Sequence, residues 1–80
     1  MKKRYYLTAV IWKEGKRYVS KCPEVGVASY GPTPERARAA LAEAASLYLA
    51  NAKKLGVLNA VEPILVSRTR YTTPLEIALT

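Results

Sequence analysis

The chain has 80 residues, with 13 Lys and Arg against 6 acidic residues and a formal net charge of +7. Every acid is a glutamate, and histidine and aspartate are absent, which excludes Ser-His-Asp and Cys-His pairs, an aspartyl dyad and the usual Ca²⁺ or Mg²⁺ loops. Cys22 is the only cysteine, so no internal disulfide and no Cys/His metal site forms; the expectation is a protein that is not an enzyme and holds no cofactor or metal.

Tyr5 to Lys13 alternates, with Tyr5, Leu7, Ala9 and Ile11 on one side and Tyr6, Thr8, Val10 and Trp12 on the other. That predicts a strand with two largely apolar faces, one for a helix and one for something else, such as a second subunit. Glu14-Gly15-Lys16 is a polar turn, and Arg17 to Cys22 is the returning strand of a hairpin. Pro23 and Gly26 punctuate the next connection, and Val27 to Tyr30 is a short third strand. Thr33 is placed as an N-cap, Pro34 as the first helical residue and Glu35 at the positive end of the helix dipole. The predicted helix runs from Pro34 to about Lys54, with Ala37, Leu41, Ala44, Tyr48, Ala52 and Leu55 as its core stripe and Gly56 as its C-terminal cap. Val61 to Ser67 reads as a fourth strand, with Pro63 at an edge position or at its start. Leu75 to Leu79 is a short fifth strand or a docking arm. The expected fold class is α+β, β-β-β-α-β, an antiparallel-rich sheet with one long helix on one face, forming a single domain over residues 1–80.

The charge is uneven. Residues 1–21 carry +6, residues 22–51 carry −1 and residues 52–80 carry +2. A localised basic face suits a phosphate backbone, which makes Lys2, Lys3, Arg4, Lys13, Lys16 and Arg17 candidate contacts for weak, sequence-independent nucleic-acid binding. Solvated lysines that blunt a sheet edge are the plainer account of the same residues. Tyr6 and Trp12 are candidate oligomer-interface residues, with base stacking as their other use. Cys22 reads as a small apolar filler.

A domain of this size buries only about 60% of the surface its unfolded chain exposes, so a homodimer or tetramer is expected. No 18-residue apolar run is present, so no membrane-spanning helix and no membrane partner are expected. Met1 to Arg4 has the basic start of a signal peptide. The apolar stretch after it is short, however, and is followed by charged Lys13 to Arg17 with no cleavage site. With a lone cysteine, this points to the cytoplasm.

The run Cys22-Pro23-Glu24-Val25-Gly26-Val27-Ala28-Ser29-Tyr30-Gly31, then Thr33, Glu35 and Ala37, resembles the HicB-like antitoxin family. The family pattern is an alternating hairpin, Pro-Glu/Asp-Leu-Gly, a small-residue strand, Gly-x-Thr-x-Glu-x-Ala, and a helix ending in Leu-Tyr-Leu. Here Leu47-Tyr48-Leu49 stands at that ending, and the match spans residues 4–55. The resemblance implies a truncated RNase H-like sheet with one helix and no nuclease activity. It also implies a small basic RNA-cleaving partner of the HicA type. No separate DNA-binding domain is expected in residues 57–80, which makes this look like the short stand-alone form. The family's acidic face is replaced by a basic chain, which leaves Glu24, Glu35 and Glu43 as the acidic patch that a basic toxin would meet.

Overall fold

A computed structural model describes residues 3–79. Three antiparallel strands, β1 (Val10–Glu14), β2 (Arg17–Cys22) and β3 (Val27–Gly31), form a sheet of order β1-β2-β3. Helix α1 (Pro34–Lys54) lies on one face of it, and a second helix, α2 (Leu58–Val66), follows. The fold is α+β, as the sequence predicts. Two two-strand ladders set the register. Val10 faces Lys21 and Glu14 faces Arg17 in the first, while Tyr18 faces Gly31 and Cys22 faces Val27 in the second.

The first hairpin closes through Gly15, whose φ of +63° is the left-handed conformation that costs glycine least. Strand β1 is shorter than its alternation suggests, because its partner stops. Pro23 follows Cys22 without an N–H to donate, and the chain turns there, with the Gly26 N–H bonded to the Cys22 carbonyl at 2.8 Å. Residues 5–8 therefore have no β2 residue to pair with. The Tyr6 N–H instead donates to the Leu65 carbonyl of α2.

Helix α1 is delimited by its sequence. Thr33 is extended (φ −136°, ψ 160°) and its Oγ1 accepts the Arg36 N–H at 3.1 Å, with Pro34 at the first helical position. At the far end the Val57 N–H reaches the Ala52 carbonyl and the Gly56 N–H the Lys53 carbonyl, with Gly56 at φ +73°. These paired bonds are the Schellman closure that a glycine at C′ permits.

The core lies between α1 and the sheet. Ala37, Leu41, Ala45 and Ala52 of α1, Cys22 of β2, and Leu58 and Leu65 of α2 are buried. Three expected stripe residues are not: Ala44 is half-buried, Tyr48 is 40% exposed and Leu55 76%. The reason is length. A 21-residue helix spans about 31 Å, whereas strands of five or six residues span roughly 17–20 Å. The distal half of α1 outruns the sheet. It is covered only in part, by α2 and the N-terminal segment, and its buried line passes through Ala45 rather than Ala44 and Tyr48.

The expected fourth strand, Val61–Ser67, is corrected by the structure, since all but Ser67 belong to α2. Leu58, Val61 and Leu65 are spaced three and four apart, and they place two buried residues and one half-buried residue on one helical face. Packing that face against α1 outweighs the cost of Pro63 inside the helix. Residues Leu75 to Leu79 join no ladder among the described residues.

Candidate functional site

The register assigns each sheet residue to a face. The Ser20 hydroxyl is fully buried and donates to the Ala37 carbonyl of α1 at 2.8 Å, so the row Ile11–Ser20–Ser29 points at the helix. One residue along, the row Trp12–Val19–Tyr30 points the other way. No described element covers that side. Trp12 is 40% exposed, Tyr30 60% and Val10 42%.

This outer face joins apolar and cationic groups. The Arg17 guanidinium lies 4.6 Å from the centre of the Tyr30 ring, a cation–π stack that fixes both side chains. The Trp12 indole N–H donates to the Glu14 carboxylate at 3.0 Å. Lys21 is exposed in the next row, opposite Val10 and Ala28. Trp, Tyr and Arg are the residue types that carry most binding energy at protein interfaces, and they also form stacking platforms for unpaired bases. Sequence reading found Trp12 and missed Val19, Tyr30 and Lys21. The available signal was the hairpin register, which becomes legible once the Gly15 turn is fixed.

The candidate cations separate into groups. Lys13, Lys16 and Arg17 surround the β1–β2 turn and are exposed. Lys3 forms an ion pair with Glu62 of α2, whose carboxylate holds the ammonium pKa above its ordinary value by hydrogen bond and charge. Among the described residues α2 packs on α1 and on none of the strands, so Lys3 is drawn away from the turn cluster. Arg4 is exposed in the same N-terminal segment, and Lys2 lies outside the described residues. Tyr6 is half-buried beneath Arg68, whose guanidinium is 4.9 Å from its ring centre. It is held within its own chain, while Trp12 stands open.

Glu24, the first member of the expected acidic patch, is engaged internally. Its side chain is 8% exposed. It accepts the Thr8 N–H at 2.9 Å, the Thr8 hydroxyl at 2.6 Å and the Cys22 thiol at 3.3 Å, and it pairs with Arg70 at 3.3 Å. Burial pushes its pKa up, but the bonds from Thr8 and Cys22 outweigh burial and hold it below the usual carboxylate value. Arg70 also donates to the carbonyls of Tyr6, Ile64 and Ser67. The cluster joins the N-terminal segment, the β2–β3 turn and the residues after α2. Cys22 is 1% exposed; burial, then the neighbouring carboxylate, raises its pKa, which suits a packed thiol rather than a nucleophile.

Among the described residues no three Cys or Glu side chains come together to hold a metal ion, and no helix is long and apolar enough to cross a membrane. Comparison with known proteins assigns no relative: no family model, curated protein or solved structure matches the chain.

Proposed function

We propose that this protein is a non-enzymatic, HicB-like antitoxin-type interaction module of the cytoplasm. In this reading it assembles as a homodimer or tetramer through its outer sheet face and masks a small HicA-like RNA-cleaving toxin. One observation carries the proposal: the row Trp12–Val19–Tyr30, with Arg17 stacked on Tyr30, is a preorganised set of interface anchors that no element covers among the described residues. The residues of the family resemblance, Cys22 to Gly31 and then Thr33, Glu35 and Ala37, form β3, the turn before it and the capped start of α1. Because Glu24 is committed to Thr8 and Arg70, recognition of a basic toxin rests on apolar and aromatic contact rather than on an acidic patch. Absent His and Asp support a role without catalysis.

The deciding experiment is co-expression with the neighbouring reading frame. A small basic RNA-cleaving product should copurify with the chain and lose its toxicity, and a Trp12→Ala, Tyr30→Ala variant should release it. A neighbouring product that neither binds nor cleaves RNA would end the antitoxin reading.

The second reading, weak and sequence-independent nucleic-acid binding, is favoured by Arg17 and Lys21 on the face of the aromatic row, with Lys13 and Lys16 at the adjoining turn. Each phosphate neutralised contributes about −0.9 to the slope of log affinity against log salt on duplex DNA. Replacing Lys13, Lys16 and Arg17 with Ser should abolish such binding while leaving the fold intact. No retention of duplex or single-stranded probes at low salt would remove it.

A further inference from the structure

Residues 71–79 are an exposed segment outside any helix or strand. Tyr71, Thr73, Leu75, Ile77 and Leu79 alternate with Thr72, Pro74, Glu76 and Ala78, the period of a strand with one apolar side. Tyr71, Leu75, Ile77 and Leu79 are 91, 84, 73 and 91% exposed. Among the described residues the only hydrogen bond recorded for this stretch is internal, from Thr73 to Pro74.

An acceptor of matching character lies elsewhere in the same fold. Strand β1 is an edge strand, paired with β2 on one side only. Beside the N-terminal segment runs an open groove of about 590 Å³, lined by Leu7, Ala9, Leu41 and Leu49 and also by Arg38 and Ser46. Leu7, Leu41 and Leu49 supply its apolar part.

We propose that residues 71–79 form an exchanged arm: in a dimer, the arm of each chain adds as a strand along the free edge that runs from residue 5 into β1 of the other and seats Leu75, Ile77 and Leu79 in the groove beside residues 5–9. Charge favours the match, since the arm's single charge is Glu76, whereas the acceptor stretch from Arg4 to Arg17 is basic. The other edge, β3, carries no charge at all. Area favours it too. Burying each Leu or Ile hides on the order of 100 Å² and a Tyr about 150–250 Å². Two arms with their acceptor surfaces thereby reach the roughly 1,200–2,000 Å² of a stable interface. Two-fold symmetry closes the exchange at two chains.

This contact is separate from the outer sheet face, and two distinct two-fold contacts build a tetramer. Sedimentation equilibrium at tens of micromolar tests it on the full chain, on a chain ending at Arg70, and on Leu75→Glu, Ile77→Glu. Either arm variant should halve the particle mass, with an unchanged circular dichroism spectrum. Trp12→Ala should leave the arm-exchanged dimer, and combining it with the truncation should give monomers. A mass unaffected by both arm variants overturns the arm, whereas a mass unaffected by Trp12→Ala counts only against the sheet-face contact. In a Cys22→Ala background, Ile77→Cys with Leu7→Cys should oxidise to a covalent dimer. A disulfide closing within single chains would show the arm seated on its own subunit and overturn the exchange.

Discussion

Glu24 shows how one carboxylate is made structural. Its oxygens receive two bonds from Thr8 and one from Cys22 and lie against Arg70, so removing its charge leaves several donors without a full partner. Glu24→Gln should cost about 1–3 kcal/mol at neutral pH. The pH dependence follows from the depressed folded pKa. The unfolded chain binds the proton more readily, so the stabilisation is complete above the ordinary Glu value of about 4.3 and is lost as pH falls through the lower folded value. Urea midpoints between pH 7 and pH 3 should fall more steeply in the wild type than in Glu24→Gln. Parallel curves would show that Glu24 is not the group responsible.

A neighbouring constraint is steric. A Cβ on Gly31 would lie 2.7 Å from the Ala37 nitrogen and 2.9 Å from the Arg36 carbonyl carbon, both backbone atoms. Neither moves without shifting α1 off β3. Gly31→Ala should therefore destabilise by about 1–3 kcal/mol, lowering Tm by roughly 4–8 °C for each kcal/mol, as a thermal melt would show.

At the scale of elements, the hairpin, the third strand and α1 with both caps are legible in the sequence, because each is written in local chemistry: Gly15 at a turn, Thr33-Pro34 at a start, Gly56 at an end. Helix α2 is not. Val61 to Val66 is rich in β-branched residues and contains a proline, and its helical form is decided by what Leu58 and Leu65 reach on α1, which local pattern does not encode. The same holds for Tyr48, whose helical spacing is right but whose facing sheet has already ended. For the candidate site, Trp12 and the turn cations are visible in sequence, whereas Tyr30 joins them only through register, and Lys3 leaves them only through Glu62. The proline gives this scale its prediction. Pro63 supplies no N–H to the Asn59 carbonyl, so Pro63→Ala should stabilise α2 by about 1–3 kcal/mol, read as a higher Tm. An unchanged or lower Tm would mean that Pro63 itself is needed for Leu65 to reach its place.

The whole molecule is basic, thinly cored and, among the described residues, open on its outer face. If copies associate through that face, the melting temperature should rise with protein concentration, because association stabilises only the folded chain. Trp12 offers a direct reading, being the sole tryptophan and 40% exposed in the single chain. Its emission should shift to the red on dilution. A spectrum and a Tm that are both independent of concentration across the micromolar range would oppose the sheet-face contact.

The cluster around Arg70 also bears on the order of folding. Its bond to the Tyr6 carbonyl joins residues 64 apart, whereas the hairpin and the strand–helix contacts join near neighbours. Closing so long a loop gains nothing until both ends are in place, so the unit from β1 to α1 can form first and the two flanks dock afterwards. In native-state hydrogen exchange, the Tyr6 and Thr8 amides, protected by Leu65 and Glu24, should open at lower free energy than the β2 amides. The same ordering would give Arg70→Ala a faster unfolding rate with little change in refolding, because the bonds it removes are made after the barrier.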